Sequence, residues 1–249
     1  MRRYMFRIPV DCYRLEEIRD MVIFGDRRVF NVFLNVRKLN LLYGKKEFDG
    51  ILSDDECVFS VDGKWVKWFA RAFGGAHTGK CFGGLHVIES FFSVSGDKKL
   101  GIYLLGAQDD ALEGAVLALM KRFPGSVIAG RHNGFFKDKS AIIEDIRKSG
   151  AGVLFIALPS PQKELLGYEI FKKVPGLRYA AGVGGAFNIL SGKTRRAPLL
   201  IQSAGLEWFY RCLQEPGVMF KRYYQDGIDF FKMALKELTG LTGRGQGHA

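Results

Sequence analysis

The chain has no run of eighteen apolar residues, so no segment is expected to cross a bilayer as a helix. Residues 1–20 carry basic side chains, but their apolar stretches are too short for a secretory signal, which leaves the cytoplasm as the expected compartment. Cysteine is scarce. Cys12, Cys57, Cys81 and Cys212 lie far apart with no C-x-x-C pair, which argues against a disulfide framework or a zinc knuckle. His77, His86, His132 and His248 show no ligand spacing. The acidic clusters Asp54-Asp55-Glu56 and Asp109-Asp110 lack the D-x-D spacing that holds a divalent ion against a nucleotide diphosphate. No metal is expected, and both clusters read as helix starts, where carboxylates meet the positive end of the dipole. A G-x-G-x-x-G fingerprint and a P-loop are also missing, as are internal repeats and low-complexity linkers.

What is present is an ordinary globular composition, 47% apolar and 25% charged over 249 residues, enough for one large α/β domain or a domain with an appendage. Net charge +11 admits three partners: nucleic acid, an anionic membrane surface or phosphorylated substrates. Nucleic acid is disfavoured, because no recognition helix, RNA-binding aromatic signature or zinc finger accompanies the charge. The charge is uneven. Between residues 193 and 222, Lys193, Arg195, Arg196, Arg211, Lys221 and Arg222 face only Glu207 and Glu215. A solvated basic face and a binding site for anions both fit that run.

Apolar runs of strand length alternate with segments of helical period. Strands are expected at Val29–Leu34, Cys57–Val61, 99–106, 126–130 and 152–158. Helices are expected through Leu39, Leu42, Tyr43 and Phe48, and over 65–73, 111–123, 140–150 and 161–174. The rhythm predicts an α/β fold with a doubly wound, mostly parallel, Rossmann-like sheet and helices on both faces. After Pro198 the pattern turns to helices without strands. A catalytic domain over residues 1–200 is therefore expected, with a C-terminal helical appendage over 201–249 and a Gly-rich, disordered tail from residue 239. Within the appendage, residues 218–238 place Phe220, Tyr223, Tyr224, Phe231, Ala234, Leu235 and Leu238 in an apolar stripe, interrupted at Gly227, that suits a core or dimer face, or with its adjoining cations a membrane face. A homo-oligomer is left open.

Ligands of such sheets bind beyond the carboxyl ends of the strands. That rule selects Asn35, Asp62-Gly63, Gly106-Ala107, the 159–164 turn and the 182–185 glycines. Asp62 could serve as a general base or as a helix N-cap. The glycines bring backbone close to something, either packing or ligand. Without a metal, a diphosphate must be neutralised by Lys, Arg and helix N-termini.

Several stretches, in order, resemble the WecG/TagA/CpsF family of bacterial glycosyltransferases over most of the chain. GVGGAFNILSGKTRRAP (182–198) is similar to its glycine-rich block ending in R-A-P, and GLEWFYRCLQEP (205–216) to its following G-L-E-W signature. LPSPQKE (158–164), FPGSVIAGRHNGFF (123–136), Asn35 and SVDG (60–63) match further family segments. The resemblance implies an inverting, metal-independent transferase. It would move a sugar (ManNAc-type, hexose or uronic acid) from a UDP-sugar to a polyprenyl-diphosphate-linked acceptor at the inner face of the cell membrane, in surface-polysaccharide or teichoic-acid biosynthesis. It implies Asp62 as the base, with Asn35, Gly106, Gln162, Lys163, Gly184 and Gly185 around the donor. Lys80, Arg195, Arg196, Arg211, Lys221 and Arg222 would hold phosphate and acceptor, and the appendage would dock on the membrane. The chain departs from the family pattern at Phe33, Lys80, Lys163, Asn188 and Val218. These departures fit a charged donor, another acceptor, or a non-catalytic member that binds nucleotide-sugar or lipid-diphosphate within an assembly complex.

Overall fold

The computed structural model describes residues 2–75 and 81–239. The expected disordered tail and Lys80 lie outside the described residues, the tail apart from Thr239. Strands β1 (Arg2–Met5) and β2 (Ile8–Asp11) form an antiparallel hairpin, followed by α1 (Leu15–Ile23). The central portion then runs β3 (Val29–Leu34), α2 (Val36–Leu42), α3 (Asp49–Ser53), β4 (Cys57–Val61), α4 (Lys64–Gly74) and α5 (Gly84–Ser95). It continues through β5 (Ile102–Gly106), α6 (Asp109–Arg122), β6 (Ile128–His132), α7 (Lys139–Lys148), β7 (Val153–Ala157), α8 (Gln162–Lys173), β8 (Tyr179–Gly182) and α9 (Ala186–Leu190). Helices α10 (Leu199–Ala204), α11 (Glu207–Gln214) and α12 (Pro216–Leu238) complete the described chain.

Strands β3 to β8 form one six-stranded, wholly parallel sheet in the order β4-β3-β8-β7-β5-β6. Parallel pairing requires crossover helices, and these cover both faces, so the inner strands are apolar on both sides. Alternate residues of each strand serve different cores. Phe30, Val32 and Leu34 join Leu39, Leu42, Leu166 and Phe171 on one face. Val29 and Phe33 join Ile18, Val22, Phe91 and Leu119 on the other. The α/β, doubly wound expectation is borne out.

The N-terminal hairpin fastens β4. Arg2 Nε donates to Asp11 Oδ1 at 3.0 Å, and Asp11 Oδ2 accepts the Phe59 amide at 2.9 Å. The strand that carries Asp62 is thereby held at a sheet edge that would otherwise be open.

Three local expectations need correction. Helix α7, expected to start at residue 140, begins one residue earlier and is capped by Asp138, whose carboxylate accepts the amides of Ser140 and Ala141. Asp54 starts no helix; it precedes β4, where its carboxylate takes a hydrogen bond from Tyr168 and an ion pair from Lys172 that hold it below the usual carboxylate range. Gly227 does not interrupt the last helix, because α12 runs unbroken from residue 216 to 238. Tertiary packing outweighs the roughly 1 kcal/mol cost of one helical glycine there. Phe230 and Met233 are buried, Asn40 Nδ2 donates to the Asp226 carbonyl at 2.7 Å, and Tyr43 Oη donates to Glu237 at 2.7 Å. The residue-200 boundary falls inside α10, and α12 returns to pack on α2.

Candidate active site

The carboxyl ends of β4, β3, β8 and β7 are adjacent in the sheet, and the loops that leave them surround a cleft of about 1650 Å³. Helices α10, α11 and the start of α12 form its other wall. The cleft therefore lies where parallel sheets bind ligands.

Asp62 leaves the end of β4 and is half-buried. It does not cap α4, whose N-cap is Gly63 with no capping side chain. Burial, with Glu207 adding, pushes its carboxyl up to about 6, while Arg211 and Lys163 work against that shift. The carboxylate lies against the start of α5, because a Cβ built on Gly83 would meet Asp62 Oδ1 at 2.9 Å. Gly83→Ala is expected to displace that carboxylate and lower kcat at least about tenfold with little change in melting temperature; an unaltered kcat would show that the Asp62 position tolerates the shift.

Lys163 leaves the start of α8 and lies along the glycine block. A Cβ on Gly182 would meet its Cδ at 3.0 Å, and one on Gly184, whose φ is +57°, would meet its Nζ at 3.3 Å. The glycines thus accommodate a lysine stem, a partner that the sequence did not reveal. Burial pushes the Lys163 ammonium down, opposed by Glu164 and Asp62, with Arg37 and Arg222 pushing the same way as burial. Gly185 faces the appendage, its missing Cβ 3.7 Å from Arg211 Nη2.

Lys38 was missed. Its ammonium pairs with Glu164 Oε1, both side chains being buried, and donates to Ser160 Oγ at 2.9 Å. Burial brings Lys38 down to about 8 despite Glu164. The only sequence signal available was its place one turn past Asn35, whose Oδ1 accepts the Lys38 amide at 2.9 Å and caps α2. Glu164 lay within the selected 159–164 turn, but its buried partner could not be read from the chain.

The sequence profile of the glycosyl transferase WecG/TagA/CpsF family matches residues 3–244. The chain belongs to that family. Over 136 residues it is 31% identical to the N-acetylglucosaminyldiphosphoundecaprenol N-acetyl-beta-D-mannosaminyltransferase of Bacillus subtilis (strain 168), covering 53% of this chain and 52% of that protein. The match thus spans about half the length of that relative.

On this WecG/TagA/CpsF-type framework, Asn35, Asp62, Lys163, Gly184, Gly185, Arg195, Arg196, Arg211 and Arg222 all reach the cleft. Gly106, Gln162 and Lys221 do not line it. Gly106 has φ +112°, and a Cβ there would sit 2.6 Å from the Ala157 carbonyl carbon and oxygen, so strand crowding between β5 and β7 accounts for it. Gln162 and Lys221 are exposed outside the cleft wall. Arg196 Nη2 lies 3.0 Å from His86 Nε2, and Gln214 bridges the Arg195 backbone to α11. Lys193 turns away to pair with Asp110. Among the described residues no three His, Cys, Asp or Glu side chains come together as metal ligands.

Proposed function

We propose that this protein is an inverting glycosyltransferase that moves a sugar from a UDP-sugar to a polyprenyl-diphosphate-linked acceptor without a metal. The reading rests on one observation above all: a half-buried carboxylate, Asp62, raised to about 6, faces a cleft that Lys163, Arg196, Arg211 and Arg222 also line. Family membership and the mannosaminyltransferase named above support the reaction class and the acceptor. ManNAc is the first donor to try; Lys163 beside the glycine block makes a uronic acid the second.

In this mechanism the acceptor hydroxyl gives its proton to Asp62 as its oxygen attacks the anomeric carbon. The bond from that carbon to the UDP β-phosphate oxygen breaks on the opposite face, and UDP departs with the electron pair. Fixed cations stabilise the charge that develops on the diphosphate in a site partly withdrawn from water. In this reading Arg211, Arg196 and Arg222, which line the cleft, take that task, and Asn35 contacts the donor.

Asp62 works as a base only when ionised. Transfer is therefore expected to rise with pH and level off above about 6, the inflection belonging to the free protein in kcat/KM. Lys163→Gln removes a cation that holds Asp62 down, so its inflection is expected at a higher pH. A profile flat from pH 5 to 8 would contradict the base assignment. Binding of UDP with no turnover of any donor would favour the alternative, a non-catalytic partner in a polysaccharide assembly complex.

A further inference from the structure

Helix α5 begins where two parts of the cleft meet. A Cβ on Gly83, its N-cap, would strike Asp62 Oδ1 at 2.9 Å, and one on Gly84, its first residue, would lie 2.7 Å from Val183 Cα in the glycine block. The turn therefore touches the base and the glycines at once. Two residues on, the half-buried His86 lines the cleft. The Gly83 amide donates to His86 Nδ1 at 3.3 Å. A ring nitrogen that accepts carries no proton, so the proton of the neutral imidazole is assigned to Nε2. Arg196 Nη2 stands 3.0 Å from that Nε2. A guanidinium donates and never accepts. Two N–H donors thus converge at hydrogen-bond distance and cannot bond each other.

The backbone around Arg196 is fixed on both sides. Gln214 of α11 bonds the Arg195 amide and carbonyl, each at 3.2 Å, and Gln202 of α10 donates to the Ala197 carbonyl at 2.6 Å. Among the described residues, Lys193 is paired with Asp110, but neither Arg195 nor Arg196 has a carboxylate partner. Converging donors, one of them a cation, select an anionic acceptor. A phosphoryl oxygen has the lone pairs to take both bonds at once, and the proposed reaction brings two diphosphates to this cleft, one on each substrate. We propose that His86 Nε2 and Arg196 form a two-donor clamp on one oxygen of a substrate diphosphate. His86 thereby joins Arg211, Arg196 and Arg222 as a group that touches substrate. The inference rests on the transferase reading and deepens it. Because the turn that carries His86 also touches Asp62 and Val183, the clamp holds the phosphate in fixed register with the base and the glycine block.

His86→Glu separates binding from structure. A glutamate at this position still accepts the Gly83 amide, favours the helix start and pairs with Arg196, so the melting temperature is expected not to fall. Its carboxylate, however, repels a phosphate and occupies the arginine. By calorimetry at pH 7.5 the variant is expected to lose at least about tenfold in affinity for UDP or for a short-chain polyprenyl-diphosphate GlcNAc. Whichever of the two weakens is the diphosphate held. His86→Gln, whose amide can accept from Gly83 and donate beside Arg196, is expected to keep its affinity within about threefold of the parent. In the parent protein the His86 ring resonance, assigned by its absence in His86→Gln, is expected to move when the same ligand is added. Unchanged affinity for both ligands in His86→Glu, or an equal loss in His86→Gln, would overturn the proposal. Should His86→Glu melt below the parent, the ring resonance decides, and its failure to move with either ligand at saturation would overturn the clamp. None of these readouts requires turnover. Binding through the clamp without UDP release from any donor would therefore count against the transferase reading alone.

Discussion

Asp62→Asn is expected to lower kcat by about 10²- to 10⁴-fold, the range a positioned general base supplies, while UDP binding stays within about twofold of the parent. The same substitution is expected to stabilise the fold. The native carboxyl titrates near 6 against an ordinary value of 3.8, so the folded state binds its proton more tightly than the unfolded chain does. Folding stability from this group therefore falls as pH rises from 3.8 to 6, and the deficit is complete above 6. Removing the charge should recover up to about 3 kcal/mol at pH 7.5, read as a higher melting temperature, and most of the gain should vanish near pH 4. A variant both less active and less stable at pH 7.5 would mean that the carboxylate is structural.

The second large effect concerns the buried pair under the cleft. Glu164 faces Lys38 directly and Lys163 at 3.9 Å, and it also accepts from Ser160 at 3.3 Å. Glu164→Leu leaves two largely buried cations without their shared anion and is expected to cost about 3–5 kcal/mol of unfolding free energy in urea titrations. Lys38→Met is expected to cost less, since Lys163 still faces the carboxylate. The double variant Lys38→Met/Glu164→Leu should recover much of the loss, because an apolar pair replaces an ion pair that gave little net stability once its desolvation is counted. Additive losses in the double variant would show that the two side chains act on separate surroundings. Both singles are also expected to raise KM, since the turn from Leu158 to Glu164 edges the cleft.

The sheet was legible because its signal is local. Runs such as VFNVFL and VLFIA are apolar on both faces, and a parallel sheet wrapped by helices requires that. The carboxyl-end rule then placed Asn35, Asp62, the 159–164 turn and the glycine block in one region before any geometry was known. What the chain could not disclose were contacts between distant segments. Lys38 and Glu164 are 126 positions apart in sequence and meet only because β3 and β7 flank β8. Gly106 and Gly182 looked alike as strand-end glycines, yet one answers to crowding from Ala157 and the other to the stem of Lys163. The alternation in the last helix was visible, but its buried side was not. Phe230 and Met233, absent from the expected stripe, became the residues that hold α12 to the core, while Phe220 and Phe231 stayed in solvent. Short-range periodicity fixes the angle between side chains on a helix; only the packing partner decides which angle points inward.

The most direct test of the central claim is UDP release from a panel of UDP-sugars (ManNAc, GlcNAc, glucose, galactose and the uronic acids) with a short-chain polyprenyl-diphosphate GlcNAc, run beside Asp62→Asn. Release with one donor is expected, with an inverted anomeric configuration in the product, and both are expected to be lost in the variant. Release that persists in Asp62→Asn, or a product of retained configuration, would contradict that claim.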